Sequence, residues 1–260
     1  MSDMLTDSDE RLRAISNTLT GARRAGIALP GFPGELPETF ADAYEIQRLS
    51  REAWSDRVAG WKVGGVPSAF VEHFKATRLT GPIFAGSVVL VSDGETAEMP
   101  VFDCGFGAIE PEFIIELGAT RSGDRMYIGA EIASSPIPAI NDVGPIAVIS
   151  DFGNNNGLLL GAEIEDWQLI SPDQTAVETH IDGDLVGSRM LDSFWADAGK
   201  ALAFMFDHAK AHNIELPPGT FVSTGAITGV HEAEIGARSK LDFGQFGSLE
   251  LTLTKAEPLA

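Results

Sequence analysis

Glu110 and Glu112 stand two positions apart in Gly107-Ala-Ile-Glu-Pro-Glu-Phe-Ile-Ile-Glu-Leu-Gly118, a run that is otherwise mostly apolar. On a strand, positions i and i+2 share one face, so both carboxylates would project the same way. Side by side off an apolar strand they repel each other and lose hydration, which a cation between them would relieve. Glu131, in Tyr127-Ile-Gly-Ala-Glu-Ile132, is a third acid among small and apolar neighbours. Three carboxylates that leave further positions to water and substrate match the oxygen-rich octahedral coordination of Mg2+ or Mn2+. A solvated strand face satisfies the same residue pattern, and Pro111 between the two acids favours a sheet edge.

Lys62 lies between Trp61 and Val63 in Gly60-Trp-Lys-Val-Gly-Gly65, where glycines let a ligand approach the backbone closely. A lysine there can carry a proton, pair with a substrate carboxylate, or sit on the surface. His180, His208 and His212 have no ligand-like spacing and read as structural or solvated. Glu72 and His73 could together activate a water near a site mouth, although adjacent residues on a helix diverge in direction. Arg78 reads either as a receiver of a second substrate carboxylate or as a surface ion pair. No nucleophile elbow, phosphate loop or dinucleotide fingerprint occurs, because the glycine clusters lack the spacing in front of a helix.

The elements that must hold these residues follow from pattern. Asp7 and Glu10 open an amphipathic helix carrying Leu12, Ile15, Leu19 and Ala22, which Gly26 stops. A Pro- and Gly-rich stretch follows, and Pro37 suits the first turn of a second helix reaching about Trp54. Short strands then dominate: 60–65, 81–84, 87–91, 108–117, 166–170, 220–223 and 249–254, with a helical turn or two over 68–76. Asp182-Gly183 between apolar flanks signals a hairpin. Ser193 caps a third helix bearing Phe194, Ala198, Leu202 and Met205. The order is helices, strands, one helix, strands, which is α+β with a mainly β core.

The 260 residues carry a formal charge of −20, which argues against nucleic acid and anionic membranes as partners, since both need clustered Lys and Arg. One cysteine, Cys104, rules out an intrachain disulfide framework. The first ten residues are acidic rather than basic and no apolar run reaches bilayer-spanning length, so a soluble cytoplasmic protein is expected.

In this order, Tyr44-Glu-Ile-Gln47, Gly60-Trp-Lys-Val-Gly64, Gly81-Pro-Ile-Phe84, Ile109-Glu-Pro-Glu-Phe113, Gly129-Ala-Glu-Ile132, Leu160-Gly161 and Ser223-Thr-Gly-Ala226 cover most of the chain. Together they resemble the 2-keto-4-pentenoate hydratase and 4-oxalocrotonate decarboxylase branch of the fumarylacetoacetate hydrolase superfamily. The resemblance implies a mixed β-sandwich roll, residues 58–260, preceded by a helical segment, residues 1–57. It implies Mg2+ or Mn2+ on Glu110, Glu112 and Glu131, with Lys62 as the acid/base residue. Asp151 is carried over as a second catalytic residue, and Arg78, Phe84 and Thr224 as substrate-binding residues. The implied activity is hydration of a 2-hydroxy-2,4-dienoate to a 4-hydroxy-2-oxo acid in aromatic catabolism, by a homo-oligomer acting on a small anionic 2-oxo acid. The alternatives are decarboxylation of a 2-oxo-3-hexenedioate and C–C hydrolysis of an acylpyruvate. The chain departs from many relatives at Leu191-Asp-Ser-Phe194, where a Leu-Gly-His-Pro turn is usual.

Overall fold

The computed structural model describes residues 7–92, 94–170, 175–191 and 194–259. Two helices lead, α1 (Asp7–Ala25) and α2 (Phe40–Ala53). They are followed by β1 (Val58–Gly65), α3 (Ser68–Phe74), β2 (Arg78–Phe84), β3 (Val88–Leu90), β4 (Thr96–Val101), β5 (Phe106–Glu116) and β6 (Arg125–Ser135). Short helices α4 (Ile140–Val143) and α5 (Pro145–Ser150) precede β7 (Asn155–Glu163), the hairpin β8 (Ala176–Ile181) and β9 (Asp184–Met190), and helix α6 (Phe194–Ala211). The chain ends in β10 (Phe221–Ser223), β11 (His231–Glu232), β12 (Arg238–Asp242) and β13 (Ser248–Lys255).

The strands form two sheets, one ordered β2-β1-β10-β5-β6-β7-β3 with β11 also on β5, the other β4-β13-β12-β8-β9. β5 alternates between two buried environments, so its sequence reads as a continuous apolar run rather than a half-polar one. Ile109, Phe113 and Ile115 point into the sandwich core, where they meet Met99, Val177, Leu241, Phe243 and Leu251, with Leu202 and Met205 of α6. Phe106 and Ala108, on the other face, pack with Leu12, Ile15 and Leu19 of α1, Ile46 of α2 and Ile146 of α5. Glu110 and Glu112 belong to this second, helix-covered face by the period of two.

Local chemistry explains most boundaries. Gly26 takes φ +64° after α1, and Asp182 and Gly183 take φ +52° and +92° at the β8–β9 turn, as a tight hairpin requires. Three expectations change. Pro37 lies ahead of α2, whose cap is Thr39, the hydroxyl accepting from the Asp42 N–H at 3.1 Å. Residues 167–169 form one 3-10 turn instead of a strand, entered through Asp166 at φ +51° and pinned by the Trp167 indole N–H on the Asp124 carbonyl at 2.8 Å. β5 is interior to its sheet. Pro111 is accommodated because β10 pairs with Ile114–Glu116 and β11 with Ala108 and Ile109, leaving a gap at Pro111. The Pro111 carbonyl faces that gap, accepting from Ile227, so its missing N–H faces it too. The Ser193 cap lies outside the described residues.

Candidate metal centre and substrate cavity

Register builds the site. Glu110 on β5 stands directly opposite Glu131 on β6, two like charges at the spacing where cross-strand pairs repel. Glu112 lies one period along, and the three carboxylates place one oxygen each within 4.8 Å of one another, all buried. On the other side of β10, β1 pairs Lys62 with Ser223. The Ser223 hydroxyl and the Gly225 N–H, the latter at 2.8 Å, both donate to Glu112 Oε2.

Lys62 is 4% exposed. Its Nζ meets Glu131 Oε1 at 3.1 Å, the Gly153 carbonyl at 3.0 Å and Asn154 Oδ1 at 3.2 Å, which uses all three donors of the ammonium. Asn155 Nδ2 adds a bond to the same Glu131 oxygen. The other, Glu131 Oε2, is buried with no hydrogen-bond partner among the described residues. Burial draws the lysine pKa down, but Glu131, Glu110 and Glu112 outweigh it and hold it above the ordinary value. Burial raises Glu110 to about 7, with Lys62 opposing and Glu131 assisting. Glu112 is pushed well up, first by burial and then by Glu131 and Glu110, against Ser223 and Gly225.

These observations fit a divalent cation. Three buried carboxylates facing one ammonium leave an excess of two negative charges, and burial of such charge is costly unless it is matched. The all-oxygen donor set suits a hard ion such as Mg2+ or Mn2+. The unpartnered oxygen of Glu131 supplies a further lone pair for it.

A cavity of about 820 Å³ opens onto Lys62 and Glu110 and is lined also by Arg78, Asn141, Asn154, Arg189 and Thr224. Among the sequence-derived residues, Lys62, Arg78, Glu110 and Thr224 meet at this cavity; Thr224 donates its hydroxyl to the Phe113 carbonyl at 2.8 Å. Phe84 and Asp151 do not line it. Phe84, the last residue of β2, is buried against Trp54, the C-cap residue of α2, and against Phe152, with ring centres 5.5 and 5.0 Å away. Asp151 is a buried ion pair with Arg23 of α1 at 2.6 Å and also accepts from the Ser135 hydroxyl at 2.5 Å. Glu72 pairs with Lys75 on the surface, and neither it nor His73 reaches the cavity.

The loop over Lys62 has an unusual backbone. Phe152, Gly153 and Asn154 are consecutive left-handed residues at φ +56°, +68° and +54°. For a non-glycine residue that conformation costs roughly 1–2 kcal/mol. Close packing explains the glycines: a Cβ at Gly153 would come 2.9 Å from Lys62 Cδ, and one at Gly81 would overlap the Phe152 carbonyl. Arg23, Asn141 and Arg189 are contributors that residue-pattern reasoning misses. Only Arg23 leaves a local trace, since Ser16, Thr20 and Arg23 form a buried polar stripe at helical spacing beside the apolar one.

The chain shares its fold with 4-oxalocrotonate decarboxylase and, less closely, with fumarylpyruvate hydrolase. It is similar to 4-oxalocrotonate decarboxylase from Pseudomonas putida G7 complexed with calcium and acetate, at TM-score 0.76 and 19% identity over 96% of this chain and 99% of that one. The same enzyme complexed with magnesium and adipate gives 0.75 at 19% identity, with 96% and 99% covered. Fumarylpyruvate hydrolase from Pseudomonas aeruginosa, in complex with Mn2+ and pyruvate, gives 0.53 at 18% identity, covering 76% of this chain and 90% of that one. No protein-family model and no curated protein matches the chain.

Proposed function

We propose that this protein is a Mg2+- or Mn2+-dependent lyase that decarboxylates an unsaturated 2-oxo dicarboxylate of the 2-oxo-3-hexenedioate type. The observation that carries the choice of a diacid is Arg78, which lines the cavity and has no carboxylate in ion-pair distance among the described residues. Arg189 lines the same cavity and is paired with Asp197 at 3.0 Å. Support also comes from the 4-oxalocrotonate decarboxylase fold, matched across nearly the whole chain and seen with magnesium and the diacid adipate.

Glu110, Glu112 and Glu131 would hold the cation, which when bound supplies a Lewis acid beside the 2-oxo carboxylate end of the substrate. Arg78 would orient the far carboxylate, as a planar guanidinium does best. In the chemical step the C–C bond to that far carboxylate breaks and CO2 leaves. The electron pair passes through the conjugated double bond to the 2-oxo oxygen, and the Lys62 ammonium gives that oxygen its proton. The product is a 2-hydroxy-2,4-dienoate. Lys62 is suited to the task because the Gly153 carbonyl and Asn154 Oδ1 fix its direction.

Hydration of a 2-hydroxy-2,4-dienoate uses the same acids and lysine, and the amides of Asn141 and Asn154 in the cavity give a water partners. Acylpyruvate hydrolysis is disfavoured because Glu72 and His73 lie away from the cavity. The deciding assay is pure protein with Mg2+ against 2-oxo-3-hexenedioate and 2-hydroxypenta-2,4-dienoate. CO2 release from the diacid is expected. Hydration of the dienoate without CO2 release from the diacid would reject decarboxylation in favour of the hydratase. Homo-oligomeric assembly belongs to the same reading and is checked by light scattering.

A further inference from the structure

The buried guanidinium of Arg23, on α1, is spread across the loop that joins α5 to β7. Its Nε and Nη2 donate to the two carboxylate oxygens of Asp151 at 2.6 and 2.9 Å, and Nη2 also donates to the Asp151 carbonyl at 3.1 Å. Nη1 reaches the Asn155 carbonyl at 3.0 Å and Asn156 Oδ1 at 3.3 Å, so the grip falls on both sides of residues 152–154. Nη2 is tied back to the sheet by the Ser134 carbonyl at 3.0 Å. The rings of Phe102 and Phe152 lie with their centres 5.6 and 5.3 Å from the guanidinium carbon.

What Arg23 brackets is the left-handed run Phe152-Gly153-Asn154, and this run supplies two of the three acceptors of Lys62 Nζ. Consecutive left-handed L-residues persist only where the surroundings over-determine them. Arg23 is such a determinant: one rigid fork bonds Asp151 before the run and Asn155 and Asn156 after it. A lysine in its place has the charge but not the span.

We infer that Arg23 is a positioning residue for Lys62. By fixing residues 151 and 155 it locks the left-handed turn that aims the Gly153 carbonyl and Asn154 Oδ1 at the ammonium, which makes the N-terminal helix part of the catalytic apparatus. The inference rests on the reading of Lys62 as the proton carrier.

The test compares Arg23→Lys, Lys62→Met and the double variant, on whichever of the two acids above the wild-type enzyme converts. Arg23→Lys should lower kcat by 10- to 100-fold, with KM for the acid and the calorimetric Kd for Mn2+ each within threefold of wild type. In the Lys62→Met background the same change should alter residual kcat by less than threefold, because the route through Lys62 is already gone. Unchanged kcat in Arg23→Lys, an equal fold loss in both backgrounds, or a loss of Mn2+ affinity beyond tenfold would each overturn it. If Arg23→Lys does not fold by circular dichroism, Asp151→Asn, which keeps the side-chain shape, takes its place in the same measurements. A Lys62→Met enzyme as fast as wild type overturns the reading of Lys62 and this inference with it. A disabled Lys62→Met beside an unimpaired Arg23→Lys overturns this inference alone.

Discussion

Asn155 Nδ2 donates to Glu131 Oε1 at 3.1 Å, while the second oxygen of Glu131 is buried without a partner. One side of this carboxylate is thus fixed by the protein and the other is available to a cation. Adding Mg2+ or Mn2+ to chelator-stripped protein should therefore stabilise it, by about 2.7 kcal/mol at a metal concentration of 100 times Kd. For a chain of this size that is a rise in Tm of roughly 5–10 °C. Glu131→Gln should lose most of the rise. Thermal melts with and without metal measure it, and a wild-type Tm indifferent to both ions would refute the centre.

Arg78→Gln should separate the two ends of the substrate. With a dicarboxylate, KM is expected to rise about 10- to 100-fold, the scale of one lost charge-assisted pair. With a monocarboxylic 2-oxo acid it should change less than threefold. Equal effects on both acids would show that Arg78 does not receive the second carboxylate.

Gly81→Ala tests the contact between β2 and the left-handed loop. The new methyl group meets the Phe152 carbonyl, a backbone atom that cannot rotate away. Overpacking of this kind costs about 1–3 kcal/mol. The loss should appear in urea unfolding, together with reduced kcat because Lys62 loses the aim of the Gly153 carbonyl. A variant as stable and active as wild type would mean that the loop shifts freely.

His208 gives the stability a pH dependence unrelated to the metal centre. Burial, then His212 and Arg51, push its pKa down to about 3, against about 6.5 in the unfolded chain. Its ring stacks on His212 at 4.2 Å and lies 4.6 Å from Tyr44. Above pH 6.5 both states are neutral and His208 has no effect. As pH falls, the unfolded chain takes up a proton that the native state refuses, so stability drops by about 2 kcal/mol between pH 6.5 and 5. His208→Phe, which keeps a stacking ring, should be correspondingly less acid-sensitive in urea titrations at the two pH values. An identical pH slope in both proteins would count against a neutral buried His208.

The buried acidic triad and its lysine are legible in the sequence because they obey local patterns. Glu110 and Glu112 repeat at the strand period, and Glu131 and Lys62 stand out as charges among apolar neighbours. Pro111 misleads because its tolerance depends on a gap between β10 and β11, strands more than a hundred positions away in the chain. Phe84 and Asp151 depend on partners that no local pattern names: Trp54 and Phe152 for the ring, and Arg23, 128 positions away, for the acid. The left-handed run is hidden for the same reason, since Phe152 has no intrinsic preference for it.

The two walls of the cavity differ in how freely they can change. β5 and β6, which carry the acids, are buried along almost their whole length, so nearly every substitution there is paid in stability. β9, which carries Arg189, is an edge strand exposed at six of its seven positions. Mutations can accumulate on β9 with little penalty, and they act on a part of the cavity supplied by the other sheet from the one that carries the carboxylates. The architecture therefore favours divergence in substrate preference over divergence in chemistry, and a library confined to β9 is the economical route to new acids.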